Sequence, residues 1–341
     1  MKDVYITDFA AHEDRAITSF FVATQKQVRT KKDGSPYLAL ILTDKTGQVE
    51  ARMWDNVPEC IPLFEQGEVV KVRAVVCRFD GRLQLKVERI RRAPQGEFDL
   101  GDFLPKTTKD VDELWRQLTN YVDSFHNPHL KALLNAFLED EQIAAALRNA
   151  PAAKGMHHAW IGGLLEHIVS LMGIADLAAG HYPEINRDLL LTGVMLHDIG
   201  KLRELSWTTG FSYTMEGQLL GHITIGIGMV EKKLETLPDF PPKLRLLVEH
   251  MILSHHGQYE FGSPKLPMIP EAVLLHYLDD MDAKMQTIRS ELERSAAQGK
   301  SADQFTDWVR AMERALLSTS GFLADEAGET DKSEAGESKE V

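Results

Sequence analysis

The spacing of apolar residues changes once along this chain, near residue 94, and that change limits the folds open to it. From Arg15 to Ala93, short runs rich in β-branched and aromatic residues are separated by turn sequences such as KKDGS, KTG and DG. Several runs alternate apolar and polar positions, which predicts β-strands. From Val111 onward, apolar residues recur every three or four positions, which predicts helices. The sequence therefore predicts a multidomain protein, with a β domain followed by an all-α domain.

The β region contains five strand-like runs: ITSFFVAT, YLALILTD, QVEARMW, VVKVRAVVCRF and RLQLKVERI. Between the third and fourth runs, Pro58 to Phe64 could form one short helix. Five strands with a helix after the third predict a small OB-type barrel over residues 1–93. Such barrels bind single-stranded nucleic acids through basic grooves and aromatic platforms, so we expect nucleic-acid binding here.

The remainder divides into three predicted segments. Residues 94–108 are rich in Gly, Pro and Asp and predict a linker, and residues 109–322 predict the helical domain. Residues 323–341 predict a disordered acidic tail, since residues 325–341 contain 7 acidic and 2 basic side chains. Helices are predicted near residues 110–125, 128–138, 159–179, 187–198, 217–236, 242–255, 271–296 and 303–319.

The net charge of −13 argues at first against a nucleic-acid partner, because phosphates are bound chiefly by Lys and Arg. However, residues 1–95 hold 16 Lys and Arg against 13 Asp and Glu, so the excess acid lies elsewhere. The two cysteines, Cys60 and Cys77, form no CxxC pair, and no secretory signal pattern or uninterrupted apolar run of membrane-spanning length is present. We expect a cytoplasmic protein with no membrane partner.

Several His and Asp residues interrupt otherwise apolar helical sequence, in GLLEHIVS, LLTGVMLHDIGK, LLGHITIG, ILSHHG and LLHYLDDMDAK. A single His on an apolar face is more often a hydrogen-bonded core residue than a ligand. A shared metal would satisfy all of these groups together, since burying them without partners is costly. Nitrogen and oxygen donors suit Mn, Fe, Co, Ni or Zn, and no thiolate favours a structural zinc site, so we predict a catalytic metal site. The candidate ligands are His167, His197, Asp198, His222, His255, His256 and Asp279.

The order of these motifs resembles that of the HD superfamily of metal-dependent phosphohydrolases over residues 155–285. The resemblance implies that His167, His197, Asp198 and Asp279 are the defining ligands. It also implies that His222, His255 and His256 occupy positions that add a second metal. The sequence GQYEFG after His256 lacks the Gly-Tyr-Pro signature of the branch that hydrolyses cyclic di-nucleotides, so that activity is set aside.

With the N-terminal barrel included, the chain resembles the bacterial 3′-to-5′ exoribonucleases of the YhaM type, in which an OB fold precedes an HD domain. The stretches that carry the resemblance are HHAWIGGLLEHIVSL, VMLHDIGKL, ILSHHGQYEFGSPKLP and HYLDDMDAK. It implies a manganese- or cobalt-dependent exonuclease that acts on single-stranded RNA, often on single-stranded DNA, and assembles into homo-oligomers. Two ions per site are expected, with manganese favoured and cobalt, iron, nickel or magnesium as alternatives.

Two divalent cations bridged by Asp198 would lower the pKa of a bound water, neutralise the scissile phosphate and stabilise the leaving oxygen. Asp198 is therefore the main predicted catalytic residue. Lys201, three residues later, could bind a non-bridging phosphate oxygen or could be a solvated lysine at a helix end. Asp280 or Asp282 could orient a ligating His.

Further candidate contacts to substrate come from loops. His157 and His158 could line the substrate path or transfer a proton, and surface roles are equally consistent with their position. Tyr259, near Phe261, could stack on a terminal base. The remaining basic candidates are Lys265 after the His pair and Lys26, Arg29, Lys31 and Lys32 at the first hairpin of the barrel.

Two other functions fit the same residues. An HD core fixes the metals but not the group attached to the phosphate, so a hydrolase of nucleotides or cyclic nucleotides is one alternative. The barrel favours a nuclease, because a mononucleotide enzyme has little need of a strand-binding domain. The second alternative is a non-catalytic nucleic-acid-binding scaffold whose metal cluster is structural.

Overall fold

The computed structural model describes residues 2–31, 33–94, 96–153, 160–207 and 210–323. Its N-terminal part is a closed barrel with the strand order β1-β2-β3-β5-β4, in which only β3 and β5 pair in parallel. The predicted OB-type barrel is confirmed, including the helix after the third strand. The elements are β1 (Ala16–Thr30), β2 (Pro36–Asp44), β3 (Gly47–Met53), α1 (Val57–Cys60), β4 (Val69–Phe79) and β5 (Arg82–Arg92).

Alternation along the strands builds the barrel core. Leu38, Leu40 and Leu42 of β2 are buried, whereas the residues between them are more exposed. A bulge between Ala23 and Gln25 lets the long β1 pair first with β4 and then with β2.

The second part of the chain is helical, as predicted. Its helices are α2 (Val111–Asp123), α3 (Pro128–Leu138), α4 (Glu141–Leu147), α5 (Gly163–His181), α6 (Arg187–Leu196), α7 (Lys201–Glu204), α8 (Met215–Leu234), α9 (Pro242–Ser254) and α10 (Pro270–Ala297). The short helices α4 and α7 were not predicted. Nor was the hairpin of β6 (Leu205–Ser206) and β7 (Ser212–Tyr213) that follows α7.

The helix predicted over residues 303–319 is wrong. Before a helical turn that begins at residue 319, the segment has the 3-10 turn Arg310–Met312 and folds back on itself, with backbone bonds from Thr306 N to Leu316 O and from Val309 N to Arg314 O. Its large apolar side chains, Phe305 and Trp308, are 60% and 68% exposed. In the described structure, no other element covers these two side chains. Most helical stability in proteins comes from the packing of an apolar face, so the helix does not form.

The helix α5 lies in the centre of the helical core. Among the described residues it is the one helix whose length and composition would allow it to cross a membrane, with a mean hydropathy of 1.3 over 18 residues. Of that window, 56% is buried inside the protein. This burial is what a core helix of a globular domain shows, and it explains the uniformly apolar sequence around His167.

An apolar cluster joins the barrel to the helical domain. Phe20 and Val69 of the barrel pack with Phe103, Leu104 and Ile161. The segment predicted as a linker thus contributes buried side chains to the junction. Of the predicted acidic tail, all but residue 323 lies outside the described residues.

Candidate metal centre

The predicted ligands come from five separate elements that meet inside the helical domain. His167 is on α5, whereas His197 and Asp198 form the turn between α6 and α7. The others are His222 on α8, His255 and His256 directly after α9, and Asp279 on α10.

One group of three contains His167, His197 and Asp279. The Nε2 atoms of His167 and His197 are 3.4 Å apart, and Asp279 Oδ1 lies 3.2 Å and 3.8 Å from them respectively. Both imidazoles are buried, and the Asp279 carboxylate is 22% exposed. We refer to these three residues as the first triad.

The second triad contains His222, His255 and His256. One nitrogen from each ring lies within 4.8 Å of the others, and the same holds for the donor atoms of the first triad. Each spacing is short enough for three donors to share one metal ion.

Asp198 lies between the two triads. Its Oδ2 is 3.3 Å from His197 Nε2, and its Oδ1 is 3.4 Å from His222 Nε2 and 3.8 Å from His255 Nε2. Because its two oxygens face different triads, Asp198 can contribute a donor to each.

Three buried atoms at this centre have no hydrogen-bond partner in the described part of the chain: Asp198 Oδ1, His222 Nε2 and His255 Nε2. Leaving such groups unpaired costs about 1–3 kcal/mol each. All three point to the space between Asp198 and the second triad. Since they are nitrogen and oxygen donors, the residues present fit a divalent transition metal.

The other ring nitrogen of each candidate ligand is already engaged. His197 Nδ1 donates to Val194 O at 2.8 Å, and His255 Nδ1 donates to Ile252 O at 2.7 Å. The corresponding contacts are His167 with Asp282 (2.9 Å), His222 with Glu204 (3.1 Å) and His256 with Phe261 O (2.8 Å). Such outer contacts fix the tautomer and the ring orientation of a metal-binding histidine, and leave Nε2 for the ion.

Two carboxylates therefore orient the rings. Asp282 was one of two acids predicted for this purpose, whereas Asp280 instead pairs with Lys284 at the surface. Glu204 was missed. It accepts from both the backbone N and Nδ1 of His222, and only the packing of α7 on α8 brings these residues together. In the sequence, an acidic residue close to Leu202 and Leu205 was a weak indication that Glu204 is buried and needs a partner.

Gly200 permits that packing. The glycine that follows the His197–Asp198 pair in the sequence is a plausible helix C-cap, but it does not cap α6, because α6 ends at Leu196 and Gly200 has the right-handed φ of −63° at the start of α7. A Cβ at this position would overlap the carbonyl group of His222 and lie 2.7 Å from Gly226 N. The absent side chain lets α7 approach the backbone of α8.

Charges at the centre shift the pKa of several groups. Burial lowers the pKa of His167, but hydrogen bonds to Asp279 and Asp282 outweigh it and raise this pKa to about 9. Burial opposes the ionisation of Asp198, yet Lys201 and the neighbouring imidazoles hold the pKa of its carboxyl well below the ordinary value. Burial is the main cause that lowers the pKa of His255, which favours the neutral, metal-binding imidazole.

Lys201 lies inside the centre and not in solvent. Its side chain is 14% exposed, and its Nζ lies 2.6 Å from Asp198 Oδ2. This contact gives Asp198 a fixed cationic partner on the side away from the second triad.

The predicted substrate contacts are dispersed. Tyr259 is 59% exposed in the 3-10 turn Tyr259–Phe261, whose last carbonyl accepts from His256, and Lys265 is exposed a few residues later. His157 and His158 lie outside the described residues.

The basic cluster predicted at the first hairpin is mostly engaged within the protein. Lys26 Nζ donates to the backbone carbonyls of Ile61, at 2.7 Å, and of Phe64, so this lysine connects β1 to the segment that follows α1. Lys31 Nζ donates to Trp54 O, and Arg29 bonds to the side chain of Gln27. Lys32 lies outside the described residues.

Comparison with known families defines the class of protein. Residues 164–284 match the HD domain, and residues 22–93 match the OB-fold nucleic acid binding domain of the tRNA anticodon-binding type. HD domains are metal-dependent, in agreement with the two triads. The chain is thus an HD-domain hydrolase with an N-terminal OB fold.

Two curated relatives narrow the class. The 3′-5′ exoribonuclease YhaM of Geobacillus sp. (strain WCH70) is 39% identical over 282 residues, which cover 82% of this chain and 85% of the relative. YhaM of Bacillus velezensis is 38% identical over 279 residues, covering 82% and 88%. The chain belongs to the YhaM family of 3′-5′ exoribonucleases. A solved OB-fold domain of replication protein A from Methanococcus maripaludis is 21% identical over 26% of this chain and 90% of that one, with a TM-score of 0.19, too low to support an argument.

Proposed function

We propose that this chain is a metal-dependent 3′-to-5′ exoribonuclease that cleaves phosphodiester bonds by attack of water at a centre of two divalent ions. The observation that carries the proposal is the position of Asp198 between two triads of donors. Asp198 Oδ1 and two imidazole nitrogens are buried there and have no hydrogen-bond partner among the residues that the structure describes. Membership of the YhaM family supplies the substrate and the direction of attack.

Each triad would hold one ion. His167, His197 and Asp279 would hold the first, the second triad would hold the other, and Asp198 would contribute a donor to both sites. When bound, two such ions lower the pKa of water and neutralise the charge of the scissile phosphate. Manganese is favoured for this mixture of imidazole and carboxylate donors, with cobalt, iron, nickel or magnesium as alternatives.

Lys201 keeps Asp198 ionised and adds a positive charge beside the phosphate. Its short contact to Asp198 Oδ2 and its low exposure support this role. Tyr259 and Lys265 would contact the terminal nucleotide, since their loop follows His256 directly and both side chains are exposed.

The barrel would bind the part of the RNA strand that lies outside the metal centre. Tyr37 and Trp54 stack with ring centroids 4.7 Å apart, and Lys31 Nζ lies 5.8 Å from the Trp54 ring. Tyr37 is in β2 and Trp54 directly follows β3, on the face that OB folds use for oligonucleotides. Single-stranded DNA is a second substrate in this proposal. Self-association is proposed from the family resemblance, and a cytoplasmic location from the two free cysteines, Cys60 and Cys77.

The test is incubation of the purified protein with Mn²⁺ and 5′-labelled single-stranded RNA or DNA, followed by separation on a sequencing gel. The wild type should give a descending ladder, and Asp198→Asn should abolish it while RNA binding persists. Asp280→Asn is the matched control, because Asp280 is exposed and paired with Lys284.

The same experiment separates the alternatives. Intact oligonucleotides together with hydrolysed nucleotides from a parallel panel would favour a nucleotide phosphohydrolase. Binding without turnover in the wild type, with a lower thermal midpoint in Asp198→Asn, would favour a scaffold with a structural metal cluster.

A further inference from the structure

The outer surface of β4 and β5 carries like charges directly opposite each other. Lys71 faces Arg91 across the two strands, and Arg73 faces Arg89. Like charges at directly opposed positions destabilise a sheet. The free protein therefore maintains an arrangement that is electrostatically unfavourable, and a bound polyanion would relieve it.

Nearby acids neutralise these cations only in part. Glu88 lies 3.2 Å from Arg73, and Glu97 lies 2.7 Å from Arg91 and 4.0 Å from Lys71. Within the described part of the chain, Arg89 has no ion pair, and it is exposed. Exposed ion pairs of this kind contribute little and exchange readily with other anions.

A groove of about 460 Å³ runs along this surface beside α1. All four cations line it, against only two acids, Glu59 and Glu88. Thr18 and Asn56 add polar groups that can bond to phosphate or ribose. We call this surface, made by Lys71, Arg73, Arg89 and Arg91, the β4–β5 face.

The β4–β5 face does not include the Tyr37–Trp54 stack. In the closed strand order β1-β2-β3-β5-β4, β4 stands across the barrel from β2 and β3, whereas β5 pairs with β3, so the Trp54 end of the groove adjoins the stack. It also differs from the first hairpin, where Lys26 and Lys31 are bonded to backbone carbonyls. The β4–β5 face is thus a cationic surface that the sequence did not indicate.

One end of the β4–β5 face reaches the helical domain. Lys71 Nζ lies 4.9 Å from the centroid of the Phe20 ring, and Phe20 belongs to the apolar junction cluster. Trp207 and Phe211 pack against that cluster from the β6–β7 hairpin, which directly follows α7. Because α7 carries Lys201, an RNA strand that leaves the β4–β5 face at this junction would pass next to the β6–β7 hairpin and α7, which lead to the metal centre.

We propose that the β4–β5 face is a second RNA-binding surface, which binds the sugar-phosphate backbone of the substrate upstream of the 3′ end. The proposal rests on the proposed exoribonuclease function. Arginine forms paired hydrogen bonds with phosphate oxygens, and the phosphates replace the missing counter-charge between Arg73 and Arg89.

The test measures binding of single-stranded RNA of about 20 nucleotides, longer than the 4 to 16 or so covered by one OB fold. Full-length protein with Asp198→Asn is used, so that the RNA is not cleaved. Adding Arg73→Gln and Arg89→Gln should weaken binding at low salt. It should also reduce the slope of log K against log salt concentration by about 1.4, since each phosphate contact contributes about 0.7 on single strands.

The matched control removes the same charge from the helical domain through Arg116→Gln and Lys243→Gln, and should leave the slope unchanged. Replacement of Arg73 and Arg89 by Lys preserves the charge and should retain most of the slope. If the double Gln variant unfolds, Arg89→Gln alone should lower the slope by about 0.7.

An unchanged slope and affinity in the Gln variants would overturn the second surface. Cleavage of RNA by the wild-type enzyme together with that result would leave the proposed function intact. No cleavage of any RNA by the wild type would instead overturn the proposed function itself, so the two failures are distinguishable.

Discussion

Asp282 Oδ2 lies 2.9 Å from Nδ1 of His167, although the two residues are 115 positions apart in the chain. The other oxygen of Asp282 accepts from Ser170 Oγ at 2.8 Å, one turn further along α5. The carboxylate is thus fixed against the helix that carries His167. It holds the ring so that Nε2 faces His197 and Asp279, the other two members of the first triad.

Asp282→Asn should weaken Mn²⁺ binding by about 10- to 100-fold, the usual effect of removing an outer partner of a metal-binding histidine. Titration of the metal-free protein followed by calorimetry measures it. Asp280→Asn, two residues away and surface-paired, should bind Mn²⁺ as the wild type does. Equal Mn²⁺ affinity in both variants would show that Asp282 does not support metal binding by His167.

Glu204→Gln should impair the second triad, because the side chain of Glu204 holds both the backbone N and Nδ1 of His222. We expect about a 10- to 100-fold loss of affinity for one of the two ions. The metal content of dialysed protein and the dependence of kcat on Mn²⁺ concentration measure the loss.

Glu216→Gln is the control for Glu204, since Glu216 only pairs with Arg203 at the surface. A Glu204→Gln enzyme with unchanged metal content would show that His222 is oriented without this carboxylate.

Metal binding should release protons in a pH-dependent manner. The pKa of His167 is raised from 6.5 to about 9 in the metal-free fold, so this group stabilises the fold fully below pH 6.5 and loses that contribution as the pH rises to about 9. A metal requires the neutral imidazole. Mn²⁺ binding at neutral pH should therefore displace about one proton more than binding above the pKa of His167. Calorimetry in two buffers of different ionisation enthalpy measures this difference, and equal proton release at both pH values would contradict it.

Gly200→Ala should destabilise the protein by about 1–3 kcal/mol or more, because its Cβ would meet backbone atoms of α8 that have no room to move. Denaturant midpoints measure the change. Gly228→Ala on α8 is the control. Apart from the adjoining backbone of its own helix, no atom of the described residues lies within 4 Å of a Cβ there, and alanine is favoured over glycine in a helix by about 1 kcal/mol. The two variants should shift the midpoint in opposite directions.

Local patterns were sufficient for the fold class and for most of the polar residues that the fold gathers into the two triads. Period-two alternation in β2 and β4 and the turn sequences between strands specify a barrel, because strand side chains point to opposite faces in turn. His167, His197 and Asp198 were visible because polar groups within apolar helical sequence need partners. The helix predicted at residues 303–319 failed because periodicity alone does not show whether a neighbouring surface exists to cover Phe305 and Trp308.

Sequence patterns thus predicted a barrel followed by a helical domain, and they picked out buried polar side chains that could bind a metal. Tertiary packing places Asp198 between two triads and brings Glu204 and Asp282 against the rings. It also sets four partly neutralised cations opposite one another on β4 and β5. These relationships join groups far apart in the chain, and their distances are set by the packing of α7 on α8, of α5 on α10 and of β4 beside β5. Periodicity reports which face of an element is buried, but the partner that meets that face depends on the whole fold.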